Sequence, residues 1–339
     1  MSQKRSRTGG LIGIRGVAER AGVSPITASR ALSRPDLVAE ATRLKVEAAA
    51  AEVGYVPNRL AGALSRHRTQ VVGLVIPTLQ NPIATETIQG INSVLNPRGI
   101  HLMIGEYGTS LAKEEELIRA FLAYRPSGLI LQSTLHTPGA REVVRIAGIP
   151  VVETGNLIKK PLDSVVSFSN YAAAKAMTAY LLKRYKKVAF VGFATAENDR
   201  TRDRQRGYVA ALRAAGLAAD PALMIEAPVQ RAIGDRILVK LLTAQPSIDA
   251  IFFAGHWIAV EALVECYRQG YKVPQRVAIA GLDDNDLSEH LPPGLTTVRV
   301  PRRDIGRLSA EGLLKRIEHP DTPSFSIDVG YEIVQRGSA

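Results

Sequence analysis

In this chain of 339 residues, few side chains stand at spacings that catalysis could use. Asp283 and Asp284 are neighbouring carboxylates, but adjacent residues at a strand end point to opposite sides and do not share one substrate atom. The six histidines show neither H-x-x-x-H nor H-E-x-x-H spacing, and His136 and His256 have no evident partnered nucleophile. Gly10, Gly13 and Gly16 precede a helical segment and do not form a dinucleotide fingerprint, and there is no phosphate loop ending in GK[ST]. The single cysteine, Cys266, excludes an internal disulfide framework and a cysteine-rich zinc site, and predicts a reducing compartment. No enzyme, cofactor or metal is therefore expected. The chemistry on offer is that of recognition. A short helix spanning residues 25–32 exposes Pro25, Ile26, Ser29 and Arg30, and a helix whose N-terminal residues are exposed in this way can face base edges in a DNA major groove.

Elements upstream position that helix. Ile14, Val17, Ala18 and Ala21 share one face of a helix over residues 14–21. Gly22 suits a left-handed helix end, Ser24 an N-cap and Pro25 a first helical position. Two short helices across a tight glycine turn form a helix-turn-helix. A third helix, residues 40–53, closes a small core with Leu44, Val46, Ala50 and Val53. Charge supports a polyanionic partner. The whole chain carries 43 Lys and Arg against 32 Asp and Glu. Residues 1–70 alone hold twelve basic and five acidic side chains, a surplus of seven in a fifth of the length.

After Thr69 the pattern becomes one of alternation. Apolar strand-like runs fall at 71–77, 100–105, 128–131, 150–153, 188–192, 250–254, 277–282 and 297–300. Helical stretches separate them, among them 114–124, 172–184, 206–215 and 259–269. Buried continuous strands alternating with helices predict parallel α/β sheets, and eight such units predict two subdomains. No apolar run reaches the ~20 residues of a membrane span, and no apolar core follows the basic N-terminus, so no export is expected.

Three stretches, VAERAGVSPITASRAL, GYVPNRLAGAL and VVGLVIPTLQNP, in this order, resemble the lac repressor (LacI/GalR) family of bacterial transcription regulators, and the similarity runs from about residue 12 to about 335. The resemblance implies a helix-turn-helix head (1–56), a hinge helix and linker (57–68) and an effector-binding and dimerisation domain (69–339) like periplasmic sugar-binding proteins. The N-subdomain would comprise about 69–168 and 298–326, and the C-subdomain about 169–297 and 327–339. Pro25 and Ile26 match the operator-selecting positions. Ile26 can offer only apolar contact, and Arg30 can pair guanine O6 and N7 or hold phosphate. Ser24 and Thr27 would contact phosphate or cap, and Ser29 would share the DNA-facing side of the helix. Asn58, Arg59, Ala61 and Leu64 match the hinge helix, with Leu64 as the wedge in the central base step.

For the cleft, the resemblance implies Arg204 and Asp283 as ligand residues, the first suited to hydroxyls or, bidentately, to a carboxylate. Where the family commonly has Ala-Asn-Asp, this chain has Ala254-Gly255-His256-Trp257, so Trp257 is expected to wall the pocket. Leu135-His136-Thr137-Pro138, the 147–153 stretch and Glu106-Tyr107-Gly108 are similar to the gluconate-repressor branch. That implies gluconate or 2-ketogluconate as effector, with Tyr107, Ser133, Thr134, His136 and Asn156 nearby. The expectation is a cytoplasmic homodimer, most simply a repressor of a pseudo-palindromic operator in double-stranded DNA. No tetramerising heptads follow Val334. Two readings from other classes share the cleft: a sugar-acid-binding transport protein and a sugar-acid enzyme.

Overall fold

The computed structural model describes residues 13–56, 69–230 and 232–339. The chain forms two compact units that meet between Thr69 and Gln70. The first contains helices α1 (Ile14–Ala21), α2 (Pro25–Ser33) and α3 (Glu40–Glu52). Gly22 closes α1 at φ +67°, a conformation that costs a residue without Cβ little. The Ser24 hydroxyl accepts the Thr27 amide at 3.1 Å and starts α2. Val17, Ala18, Ala28, Ala31, Val46, Ala49 and Ala50 form the core of this unit. Leu44 does not join them. It is 53% exposed, because α3 turns Val46, Ala49 and Ala50 inward instead.

The second unit holds two six-stranded sheets. In chain order its elements are β1 (Val71–Ile76), α4 (Pro82–Leu95), β2 (His101–Glu106), α5 (Leu111–Ala123), β3 (Gly128–Leu131), α6 (Pro138–Ala147), β4 (Val151–Glu153) and β5 (Ser164–Ser167). There follow α7 (Asn170–Leu182), β6 (Val188–Phe193), α8 (Asp199–Ala214), β7 (Met224–Ala227), α9 (Gly234–Ala244), β8 (Ala250–Phe253), α10 (His256–Arg268), β9 (Ala278–Leu282) and α11 (Asp286–His290). β10 (Thr296–Arg299), α12 (Arg302–Glu318), β11 (Ser326–Asp328) and β12 (Glu332–Val334) complete it. One sheet runs β11-β5-β4-β3-β1-β2 and is wholly parallel. The other runs β12-β10-β9-β8-β6-β7 and is parallel except for the antiparallel β10–β12 pair. The chain thus passes between sheets three times: from β5 to β6, from β10 to β11 and from β11 to β12.

Central strands such as β3 and β8 are buried along their whole length, as parallel strands covered on both faces must be. α4 and α12 cover one face of the first sheet through Ile91, Leu95, Ile305 and Leu313. α5 and α6 cover the other through Ile118, Phe121, Ala140 and Val144. Gly90 and Gly306 let α4 and α12 touch backbone to backbone: a Cβ on Gly306 would lie 2.0 Å from the Thr87 carbonyl oxygen. Among the described residues no helix is long and apolar enough to cross a membrane.

Candidate functional site

In the head, Ser24, Pro25, Ile26, Ser29 and Arg30 are exposed and Thr27 is half-exposed. Ile26 is 66% exposed, so its apolar side chain is free to meet a thymine methyl. The basic residues divide by role. Arg20 is bound to Glu52, and Arg43 lies between Glu40 and Glu47. Arg15, Arg30, Arg34 and Lys45 make no ion pair among the described residues, so their charges are available to phosphate. Asn58, Arg59, Ala61 and Leu64 lie outside the described residues.

In the body, a cavity of about 520 Å³ opens where strand ends of both sheets meet, within the range of small-molecule sites. Tyr107 follows β2, Trp257 follows β8, Asp283 follows β9, and Arg204 projects from α8; all four line it. Arg204 is buried. Its Nε donates to Asn170 Oδ1 and its Nη1 to the Ala254 carbonyl, each at 2.7 Å. Burial lowers its pKa to about 10; Arg302 and Arg200 push the same way, and Asp283 opposes them. Asp283 sits at φ +75°, a strained conformation for a residue with a side chain, held by Thr297 Oγ1 donating to its carbonyl at 2.6 Å. Its Oδ1 accepts from Arg302 Nε at 2.9 Å and Nη2 at 2.7 Å. Asp284 turns elsewhere, to Arg299 and Arg336.

Trp257 packs edge-on against Phe193, with ring centroids 5.3 Å apart. A Cβ at Gly255 would come within 2.9 Å of the Phe193 ring, so the glycine makes room for this aromatic wall. His256 also lines the cavity. Its Nε2 meets Ser288 Oγ at 3.0 Å, and burial lowers its pKa.

The other four expected ligand residues do not line the cavity, and each is committed to a protein partner. His136 requires the plainest correction. Its side chain is fully buried, with Nδ1 2.9 Å from Glu114 Oε2 and Nε2 3.1 Å from Glu153 Oε1. Both ring nitrogens are therefore used, and none is left for a ligand. Ser133 Oγ donates to the Leu135 carbonyl at 2.9 Å. Thr134 donates to Asp199, and Asn156 Nδ2 donates to Asp203 Oδ2 at 2.7 Å. Thr134 and Asn156 thereby tie loops of the first sheet to α8 of the second. Arg200 does the same, donating to the Gln132 carbonyl.

Sequence reasoning missed Arg200 and Arg302, which both line the cavity. Arg200 is four residues before Arg204 on the same helix, a spacing that places both on one face. α8 begins at Asp199, seven residues before the expected start, because Asn198 caps Thr201 at 3.2 Å. Arg302 stands in a Pro-Arg-Arg-Asp run that reads as surface charge.

A small basic helix-turn-helix unit and a two-sheet body with a polar cleft define a DNA-binding regulator with a small-molecule site. Similarity to known proteins agrees. Residues 13–58 match the model of the bacterial regulatory proteins of the lacI family, and residues 178–339 match a periplasmic binding protein-like domain. The HTH-type transcriptional regulator GntR of Pseudomonas aeruginosa is 39% identical over 340 residues, covering 99% of this chain and 98% of that protein. IdnR of Escherichia coli K12, also an HTH-type transcriptional regulator, is 32% identical, covering 95% and 97%. The crystal structure of a LacI family transcriptional regulator from Silicibacter pomeroyi superposes with a TM-score of 0.88 at 33% identity, covering 96% of this chain and 99% of that one. The chain belongs to the LacI family and is a DNA-binding transcriptional regulator.

Proposed function

We propose that the protein is a homodimeric repressor that leaves its operator when a sugar acid, gluconate or 2-ketogluconate, fills the cleft. One observation carries the effector reading: three arginines, Arg200, Arg204 and Arg302, line one cavity in which the one deeply buried carboxylate, Asp283, is already held by Arg302. Glu106 and Glu197 also line the cavity but are exposed, whereas Arg204 and Arg302 are buried, so the buried wall favours an anion over a neutral sugar. Trp257 and Phe193 supply an apolar face for a carbon chain or ring, and Tyr107 a hydroxyl. Val264 and Tyr267 on α10 and Leu287 on α11 are large apolar side chains left exposed, which supports burial against a second copy. The exposed residues of α2 would enter the major groove in each half-site, and residues 58–64 would serve as the hinge. The site of action would be the bacterial cytoplasm, where the operator lies.

Effector can release DNA only through different affinities for the two states. The coupling is reciprocal, so operator weakens effector binding by the same factor. Replacing Arg204 with Ala should weaken effector binding by roughly 10- to 150-fold, the worth of a charged hydrogen bond, and leave the DNA complex deaf to effector. Leu64→Ala should weaken operator binding and leave effector binding intact. A normal effector response in Arg204→Ala would contradict the site assignment. A corepressor is the opposite sign of the same linkage, and a fluorescence-anisotropy titration of bound DNA with effector tells the two apart.

A further inference from the structure

The ion pair between Arg302 and Asp283 has an asymmetry. A guanidinium carries five N–H donors in a planar fork. Asp283 Oδ1 takes two of them, from Nε and Nη2, on one edge. Nη1 has no protein acceptor among the described residues and is not sealed from the cavity that Arg302 lines. The end-on edge, Nη1 with the second Nη2 hydrogen, is thus unoccupied. One face of the guanidinium lies on the buried Phe168 ring, with Cζ 5.0 Å from its centroid. The residue is 6% exposed. Asp283 on one edge and Phe168 on one face fix the plane, so the remaining edge is presented without rotamer freedom.

Arg204 differs. Its bonds to Asn170 and the Ala254 carbonyl use Nε and Nη1, so one nitrogen of each two-nitrogen edge is already engaged. Among the described residues, Nη2 is its one nitrogen with no protein acceptor. Its shape therefore suits a single contact better than a two-point grip on a carboxylate.

Building on the anionic effector proposed above, we infer that Arg302 is the residue that takes the effector's carboxylate, end-on and bidentately, and that Asp283 is its positioning residue. Arg204 adds one contact and its charge. Two N–H···O bonds in a desolvated fork select a planar anion over a hydroxyl. The pre-set plane reduces the ordering cost of binding.

Calorimetric titration of the full-length chain with gluconate, 2-ketogluconate and the neutral alditol glucitol tests this. Wild type, Arg302→Gln and the double variant Asp283→Asn/Arg302→Gln are compared, with melting curves to check folding. The double variant removes both charges of the pair, so it stands in if the single variant does not fold. The expected result is an acid affinity at least 30-fold lower in both variants, and in Arg302→Gln a smaller loss for any glucitol binding than for the acid. A merely structural role would be relieved by neutralising the pair: acid affinity restored to within threefold of wild type in the double variant would overturn the assignment. Arg302→Gln binding acid as wild type does would overturn it too, while leaving the anionic effector standing. Wild type binding neither acid would overturn both.

Discussion

His136 shows what a residue type alone conceals. Its partners lie 22 and 17 positions away in sequence, Glu114 on α5 and Glu153 at the end of β4. Only the sheet order brings them to either side of one imidazole. Burial alone would lower the His136 pKa, but hydrogen bonds and charge from Glu114 and Glu153 outweigh it and raise the value from 6.5 to about 9. The folded value is the higher one. The stabilisation is therefore complete below pH 6.5 and is lost as pH rises through about 9. Melting temperature in wild type should fall across that interval. His136→Ala should cost ~3–5 kcal/mol at neutral pH, because it leaves buried carboxylates unpaired. Urea unfolding measures the loss, and a change under about 1 kcal/mol would mean that the His136 contacts to Glu114 and Glu153 do not stabilise the fold as described. Effector affinity of a folded His136 variant should stay within a few-fold of wild type. Tyr107, Arg204, Trp257 and Asp283, which line the cleft, were legible through motifs that resemble the family's, not through local pattern alone. Arg302 was not, since nothing local marks a guanidinium as buried against Phe168 and Asp283.

At the scale of elements, the strands were legible because β1, β3, β6, β8 and β9 are short unbroken apolar runs. The edge strands β7, β11 and β12 have exposed positions and no such run. α8 was legible only in its second half. Its first turns read Asp-Arg-Thr-Arg-Asp-Arg, with no apolar period to reveal a helix. Those turns have a task of their own: Asp199, Arg200 and Asp203 reach Thr134, Gln132 and Asn156 across the cleft. Thr134→Val removes one of these bridges without changing side-chain shape. If effector binds the bridged arrangement, affinity should fall roughly 3- to 10-fold, the worth of one net hydrogen bond; unchanged affinity in calorimetry would show that the bridges play no part in binding. Gly306→Ala probes the α4–α12 seam. The added Cβ meets the Thr87 carbonyl at 2.0 Å, so the helices must separate, at a cost of about 1–3 kcal/mol or more. An unchanged melting temperature would contradict the close approach.

For the whole molecule, the contrast between a basic head and a nearly balanced body is written in the order of charged residues along the chain, and the two compact units meet close to where that contrast ends. How effector occupancy reaches the DNA-binding residues is not a property of any short motif, so it rests on linkage between two binding equilibria. DNA affinity should fall steeply with salt. Among the described residues, Arg15, Arg30, Arg34 and Lys45 on two heads would give about eight phosphate contacts, and hence a contribution of roughly −7 to the slope of log affinity against log salt. Arg34→Ala should reduce that slope by about 2 in the dimer, since each head loses one contact. On the function proposed above, the body reads an anionic polyol in its arginine-lined cleft. Calorimetric titration of the purified protein with gluconate and with 2-ketogluconate, beside glucose as the neutral control, tests it most directly. The expected result is saturable binding of one acid, one molecule per chain, and none of glucose; silence with both acids, or glucose bound as tightly as either, would rule out an anion-reading cleft.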